Sequence, residues 1–339
     1  MILGIHDGHS ASAALIDKNK VLCFYLEEEF TGKNRQPGFP RRAVEKILAE
    51  YPVSSIRSVA FAGKYGRAPL RFFENCYRNS AGEKDTTSWS SVFYAAYENF
   101  VPRILWIREL EHFFSRLALA ARLKESGLHK KKIFFAEHHF AHAYSSWEKI
   151  KAEDCLFITL DAYGDGLSGA LFIHDRDRLK LIKKIPVRSS IGLLYGRISA
   201  ACGYPEGKEN LFMESSLNAD SVPDGKNIFS DVLQFKNGDL VVKRRQLSKL
   251  LKKAKNVPVA TLSRLLQEKL YTVISGFLSE HLSACGKTKL CVAGGVFANS
   301  LLLKRISEMP QLTGVFPAYR VDDAGLSMGT AFWAERGGR

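Results

Sequence analysis

The chain has 339 residues, 46% of them hydrophobic, and 49 Lys and Arg against 35 Asp and Glu give a formal charge of +14. That length can bury a full core as one two-lobed unit or two compact domains, and no apolar run approaches the ~20 residues of a membrane span. The start, MILGIHDGHS, has no basic segment ahead of an apolar one, which argues against a signal peptide.

Residues 1–6, 12–16 and 21–26 read as three strands of a meander, the last two joined by a DKNK turn. Between the first two, the hairpin DGHS can present backbone N–H groups and His9 to a phosphate. Residues 27–40 read as an irregular polar loop, 40–51 as an amphipathic helix with Ala43, Ile47 and Leu48 on its apolar face, and 58–62 as a fourth strand. This order is how a ribonuclease-H-like lobe begins. Residues 64–132 break the rhythm and read as a helical insertion, in which Tyr94, Tyr97, Phe100, Trp106, Phe113 and Phe114 interleave with Arg71, Arg78, Arg103, Arg108 and Arg116. Such a stripe either stacks on bases or a substrate or packs a helix on the core, and its periodicity favours packing.

Residues 135–147 (FAEHHFAHAYSSW) lack Gly and Pro and read as a helix. His138 and His142 are then on one face and can share a metal, given ligands from elsewhere; the alternative is an aromatic-rich helix with incidental histidines. Strands at 155–161, 168–173 and 179–185 and a helix at 189–202, with Ser189 or Ser190 as N-cap, repeat the order of the first lobe. Two copies of one topology predict two lobes facing across a cleft: 1–150, with the insertion at about 64–132, and 151–339. Residues 206–216 give no assignment. Residues 220–258, with Lys243, Arg244, Arg245, Lys249, Lys252, Lys253 and Lys255, read as a solvated helix face. A long amphipathic helix (261–285), a strand (290–293), a Gly294–Gly295 turn, a helix (297–309), a short strand (315–316) and a closing helix (323–336) follow.

The positive charge favours anionic partners such as nucleotides, phosphorylated substrates, an acidic protein or nucleic acid, unless it is only a basic soluble surface. The six cysteines are scattered without a CxxC pair, as expected of buried thiols in a reducing cytosol. Asp161 ends a buried strand and points into a cleft, and Asp323, before the last helix, is otherwise a plain N-cap. With His138 and His142 they supply two nitrogens and two carboxylates, a set that suits Fe(II), Mn(II) or Zn(II) better than Ca(II) or Mg(II). AGGVFAN (293–299) is a strand–GlyGly–helix turn of the kind that lets a phosphate approach a helix N-terminus, and DAYGDG (161–166) is a second Gly-rich turn. Together they make a nucleotide cleft plausible.

The ordered pieces ILGIHDGHSASAALI, EEEFTGKNRQPGFPRRA, EHHFAHA, TLDAYGDG, IGLLYG, EGK, LCVAGGVFAN and DDAGLSMGTA run over nearly the whole chain. As a set they resemble the O-carbamoyltransferases of the NodU/CmcH/TobZ group, in the ASKHA (actin-like) superfamily; the tRNA-modifying TsaD is a more distant relative. The resemblance implies an α/β fold of two ribonuclease-H-like lobes about a central cleft. It implies a metal, typically iron, on His138, His142, Asp161 and Asp323, with Zn or Mn as alternatives. Carbamoyl-adenylate or ATP is expected around Gly164, Gly192, Gly294, Gly295 and Asn299, His9 as general base, and Lys33 near the carbamoyl donor. The implied activity is cytoplasmic carbamoyl transfer to a hydroxyl or amine of a small-molecule acceptor, as in antibiotic or secondary-metabolite biosynthesis.

The chain departs from the family at several points. Ser10 stands at an acidic position; Glu29, Gly32 and Arg35 replace Arg, Arg and His; and ENLFMES (209–215) replaces a VMGLA-like segment. Family members continue into a YrdC-like domain that makes the donor, so the resemblance leaves three expectations, a separate YrdC-like partner, another donor or a lost reaction, and a homodimer is open. The competing readings are a TsaD-like transferase acting on nucleic acid and a non-catalytic metal- and nucleotide-binding partner protein. No membrane contact is expected.

Overall fold

A computed structural model of the chain describes residues 1–64, 105–147, 155–175, 178–219, 227–254 and 257–338. Strands β1 (Ile2–His6) and β2 (Ser12–Asp17) are buried almost throughout, as central strands are, whereas β3 (Lys20–Leu26) alternates exposed and half-buried positions along an edge. Helices α1 (Glu27–Thr31) and α2 (Arg41–Glu50), strand β4 (Ser58–Ala62), helix α3 (Leu105–Glu125) and strand β5 (Lys132–Ala136) complete the first half. Helix α4 (His138–Tyr144) leads to β6 (Cys155–Gly164), β7 (Leu167–Asp175) and β8 (Arg178–Pro186). Helices α5 (Ile191–Ala201) and α6 (Glu209–Ser215), the hairpin β9 (Leu233–Lys236) and β10 (Asp239–Val242), and helices α7 (Arg244–Lys253) and α8 (Val259–Cys285) follow. The chain closes with β11 (Lys289–Ala293), α9 (Ser300–Ser307), β12 (Gly314–Pro317) and α10 (Leu326–Glu335).

The two five-stranded sheets have one topology. Their orders, β3-β2-β1-β4-β5 and β8-β7-β6-β11-β12, match position by position. In each, an antiparallel meander is extended by two strands parallel to its first. These are the two ribonuclease-H-like lobes that the sequence predicts.

The lobes exchange a helix. α4 follows the last strand of the first sheet but packs on β6, β7 and β11; α10 follows the last strand of the second but packs on β1, β2 and β4, and the two helices pack on each other. Missing side chains make this close approach possible: a Cβ on Gly4 would collide with the Ser327 carbonyl, and one on Gly329 with that of Ala141. Ile2, Ala14 and Ala60 of the first sheet, Phe157 and Phe172 of the second, and Tyr144, Met328 and Phe332 of the helices share one apolar cluster. The closing helix of residues 151–339 therefore belongs to the core of both lobes.

Several expectations are corrected. Residues 27–31 are helical rather than irregular: the turn closes at Gly32 (φ 68°), whose N–H donates to the Glu28 carbonyl, and the buried Glu27 carboxylate accepts the N–H groups of Arg42 (3.2 Å) and Ala43 (3.0 Å) and so caps α2. The histidine helix begins only at His138, since Phe135 and Ala136 pair with β4 as the end of β5. The described part of 220–258 is no single solvated helix: Leu233–Val242 is a hairpin whose turn residues, Asn237 (φ 52°) and Gly238 (φ 76°), suit a type I′ turn, and the basic face is confined to α7 and its flank. Within the insertion α3 packs through Ala118, Leu119 and Leu123, while Phe113 and Phe114 stay 56% and 42% exposed. Tyr94, Tyr97, Phe100, Arg71, Arg78 and Arg103 lie outside the described residues, as do Cys76 and the side chains of Trp106 and Arg108. The other five cysteines are free thiols. Among the described residues no helix is long and apolar enough to cross a membrane.

The helix exchange can be tested with two glycines. Gly329→Ala forces α10 off α4 and is expected to cost about 2–4 kcal/mol in urea unfolding. Gly196, inside α5, is the control, because a methyl added there would meet nothing within 4 Å. Its replacement by Ala is expected to add about 0.5–1 kcal/mol. Equal effects would contradict the packing.

Candidate metal centre

Three separate segments deliver the four predicted ligands to one point. The first turn of α4 is held by a carboxylate from the β6–β7 turn: Asp165 Oδ2 accepts the N–H groups of His138 (2.7 Å) and Lys64 (3.0 Å). Asp165 and Gly166 make the tight β6–β7 turn, both at positive φ (50° and 84°). One helical turn apart, His138 and His142 aim Nε2 the same way. They meet Asp161 Oδ2 at 3.2 and 3.1 Å, and Asp323 Oδ1 at 3.7 and 3.2 Å. One ligand atom from each of the four lies within 4.8 Å of the others.

Asp161 leaves β6 where pairing with β7 becomes irregular after Leu160, and its Oδ1 accepts the N–H of Ala162 (2.6 Å). The first turn of α5 rests on this irregularity: Ser190 Oγ caps the helix at Leu193 N–H (3.0 Å) and donates to the Ala162 carbonyl (2.6 Å). Asp323 is placed by β2, whose Ser12 hydroxyl lies 2.8 Å from both the Ala324 carbonyl and Ser327 Oγ.

The electrostatics of this cluster call for a cation. Burial pushes both carboxyls up, and Asp323 pushes Asp161 up further, yet the histidines more than offset this. Asp161 is lowered to about 2, and Asp323 is held well below the ordinary carboxylate range by His138, His9 and His142. Burial pushes His142 down, but its hydrogen bonds to both carboxylates win and raise it to about 9. His139, beside them and 3.0 Å from Thr159 Oγ1 through Nδ1, is lowered to about 3, first by burial and then by its histidine neighbours. Two buried anions beside two imidazoles form a donor set that fits a divalent first-row ion, with His138 and His142 offering Nε2 while their Nδ1 atoms are buried without a hydrogen-bond partner.

The other predicted residues are distributed around this cluster. His9 is 46% exposed on its side chain and faces Asp323 Oδ2 with Nε2 at 3.5 Å, so Asp323 turns one oxygen to the histidine pair and the other to His9. Lys33 is exposed on a loop stitched to the hairpin by Ser10 N–H to the Arg35 carbonyl (3.3 Å), Ala11 N–H to that of Gln36 (2.9 Å) and Gly38 N–H to that of Gly8 (3.3 Å). Its ammonium is not part of the cluster. Arg35 spans from this loop to Glu206 of the second half at 3.5 Å.

The five residues expected at a nucleotide have close protein neighbours. A Cβ on Gly164 would strike the His138 ring, on Gly192 the Asp161–Ala162 backbone at 2.6–2.8 Å, on Gly294 (φ 98°) the Leu160 carbonyl, and on Gly295 it would lie 3.1 Å from Asp161 Oδ1. Asn299 Oδ1 caps α9 at Leu302 N–H (3.0 Å), and its amide donates to Gln267 Oε1 (3.0 Å), which is linked in turn to the Tyr195 hydroxyl. Gly164, Gly192 and Gly295 therefore help to frame the centre, through His138 and Asp161.

Two site residues escape sequence reasoning. His6 is fully buried at the end of β1, with Nε2 3.1 Å from the His9 carbonyl and 4.0 Å from Asp323 Oδ2. Its signal, a polar residue ending an apolar central strand, is the one that identifies Asp161. Asp165 carries the signal of an Asp-Gly hairpin turn.

The His142 shift sets a pH dependence for the metal-free protein. Its folded value, about 9, lies above the ordinary 6.5, so its stabilisation is complete below 6.5 and lost as pH rises through about 9. Asp161 contributes in the opposite sense, fully above 3.8 and lost as pH falls through about 2. Urea unfolding with chelator should show stability falling from about pH 7 to about pH 10, and His142→Gln should flatten the fall. Zn(II) or Mn(II) should reverse it, since ligation takes neutral imidazoles; a flat profile in the unsubstituted protein contradicts the assignment.

The family model described as "Carbamoyltransferase N-terminus" matches residues 1–332. An uncharacterised protein of Methanocaldococcus jannaschii is 26% identical over 99% of this chain and 58% of its own length. Nodulation protein NolNO of Sinorhizobium fredii is 23% identical over 95% of this chain and 46% of its own. The chain thus spans about half the length of these relatives. Full-length HypF, in a structure described as phosphate- and nucleotide-bound, aligns with a TM-score of 0.58 at 13% identity over 99% of this chain and 55% of that one. The activator of 2-hydroxyisocaproyl-CoA dehydratase from Clostridium difficile, with bound ADPNP, aligns at 0.51 and 10% identity over 98% and 93%. At such identities these likenesses speak for the fold, which is of the ASKHA type. The chain belongs to the carbamoyltransferase N-terminal family.

Proposed function

We propose that the chain carries the transfer site of a metal-dependent carbamoyltransferase. It moves a carbamoyl group from an activated donor, carbamoyl-adenylate or carbamoyl phosphate with ATP, to a hydroxyl or amine of a small-molecule acceptor. The observation that carries this reading is the divided carboxylate of Asp323, with Oδ1 3.2 Å from His142 and Oδ2 3.5 Å from His9. A ligand site and a candidate base are thereby held by one side chain.

His138, His142, Asp161 and Asp323 would hold the ion, with Fe(II) the first candidate and Zn(II) or Mn(II) the alternatives. When bound, it supplies Lewis acidity to the donor's oxygens. His9 is exposed enough to meet an acceptor, and its ring is oriented by Asp323 through Nε2, leaving Nδ1 to take the acceptor's proton. The acceptor oxygen or nitrogen bonds to the carbamoyl carbon, the bond from that carbon to the phosphate oxygen breaks, and AMP or phosphate leaves with the electron pair. Lys33, on the loop stitched to the hairpin, stabilises the leaving phosphate. The Gly294–Gly295 turn and the start of α9 offer backbone N–H groups to the nucleotide. HypF, of the same fold, has phosphate and nucleotide bound, which supports a nucleotide in this cleft. A YrdC-like activity, on this or another polypeptide, supplies the adenylate.

A second reading, a TsaD-like transferase acting on tRNA, is favoured by α7, whose ten residues RRQLSKLLKK include five cations and no acid. It predicts tRNA binding that weakens steeply with salt, and no binding at low salt would remove it.

Transfer is tested by incubating the protein with metal, carbamoyl phosphate, ATP, a YrdC-like enzyme and candidate acceptors. His9→Ala is expected to lower product formation about 10²–10⁴-fold with metal content unchanged, because His9 is outside the four ligands. Full activity in that variant would contradict the assignment.

A further inference from the structure

The metal cluster sits at one end of the paired helices α4 and α10. The far end of the same pair opens into a second cavity of about 270 Å³, lined by Phe140, Tyr144, Arg178, Leu179, Trp333 and Arg336. The ten residues of α10 place it about 15 Å from the Asp323 end at ~1.5 Å per residue. None of the four ligand residues lines it, so it is separate from the cleft.

Its walls combine two kinds of chemistry. Phe140, Leu179 and Trp333 are apolar, and the Tyr144 hydroxyl accepts the Leu179 N–H at 3.0 Å, so that polar group already has a partner. Both guanidiniums act on that hydroxyl: burial pushes it up, and the charges of Arg336 and Arg178 oppose the rise. Arg336 is held in place, lying 4.7 Å over the Trp147 ring and donating to Asn19 Oδ1 at 2.8 Å. Arg178, at the start of β8, is exposed, and no carboxylate pairs with its guanidinium among the described residues.

We propose that this rear cavity binds a small ligand joining an oxyanion to a planar ring, with the oxyanion on Arg178 and Arg336 and the ring against Trp333 and Phe140. A guanidinium presents a donor fork that matches phosphate or carboxylate, and the aromatic walls take a ring in stacked or edge-on contact. The volume is just below that of pockets for drug-sized ligands, about 300–1,000 Å³, and so fits one ring with one anionic substituent. Phosphate and carboxylate share this chemistry, and the test separates them.

The full chain, loaded with metal, is titrated with phenyl phosphate, benzoate, inorganic phosphate and phenol. Calorimetry and tryptophan fluorescence report binding, the latter because Trp333 lines the cavity and Trp147 lies under the Arg336 guanidinium. One phenyl phosphate or one benzoate is expected to bind saturably, the tighter of the two identifying the anion, with inorganic phosphate and phenol at least about tenfold weaker. Arg178→Glu is expected to weaken the favoured probe at least about tenfold while leaving metal affinity unchanged, which also reports that the variant folds; Arg178→Gln serves if it does not. No saturable binding up to about 10 mM, or equal affinity after Arg178 is replaced, overturns the proposal. Neither result depends on whether the cleft transfers a carbamoyl group.

Discussion

Two carboxylates, Asp161 and Asp323, are held inside the protein against the same pair of imidazoles, and the rest of the architecture follows from what that requires. A buried anion is costly unless it is paired, and here Asp323 lies close enough to raise Asp161. Without an ion the deficit is met by a proton on His142, which is why that histidine is raised. A divalent cation would meet it with fixed charge and would leave the imidazoles neutral. The site is a place where charge balance and ligand geometry ask for the same thing.

Symmetry explains how distant segments reach one point. β1 and β6 are equivalent central strands, and each carries a polar residue to the cleft, His6 at the end of one and Asp161 where regular pairing of the other breaks off. α4 and α10 follow equivalent strands, β5 and β12, and each crosses to the opposite sheet. The two histidines lie on one of these helices and Asp323 immediately precedes the other, so the reciprocal exchange brings the donors onto the seam. Small residues then fix the approach: Gly4 and Gly329 let the helix pair close, while the Ser12 and Ser190 hydroxyls tie Asp323 and Asp161 to neighbouring backbone. Side chains placed by packed backbone hold their relative positions more closely than side chains on loops do. Because both helices run from front to rear of the seam, the same exchange also creates the cavity around Arg178 and Tyr144.

The repeated strand order, the four residues that cluster and the Gly-Gly turn are legible in the sequence because each rests on a local signal: an apolar run, an i, i+4 spacing, a polar residue late in a buried strand. What is not legible depends on neighbours. KIFFA of β5 is too short to be separated from the histidine helix that follows it, and only pairing with β4 fixes it as a strand. Glu27–Thr31 looks like loop until Glu27 is seen capping α2. The β9–β10 hairpin does announce itself, through Asn237–Gly238 between alternating apolar residues, but the surrounding positive charge masks it. Similarly, the glycines read as a nucleotide cradle prove to have a packing reason, Gly164 against His138 and Gly192 against Asp161, which no spacing rule could reveal.

The central claim is that an ion sits among His138, His142, Asp161 and Asp323. X-ray absorption at the metal edge, recorded on protein reconstituted with Fe(II) or Zn(II), tests it most directly. The account predicts one tightly held ion per chain, with the scattering of two imidazoles and otherwise oxygen neighbours, abolished by Asp161→Ala with Asp323→Ala. A spectrum without imidazole scattering, or an ion that persists in that double variant, would contradict it.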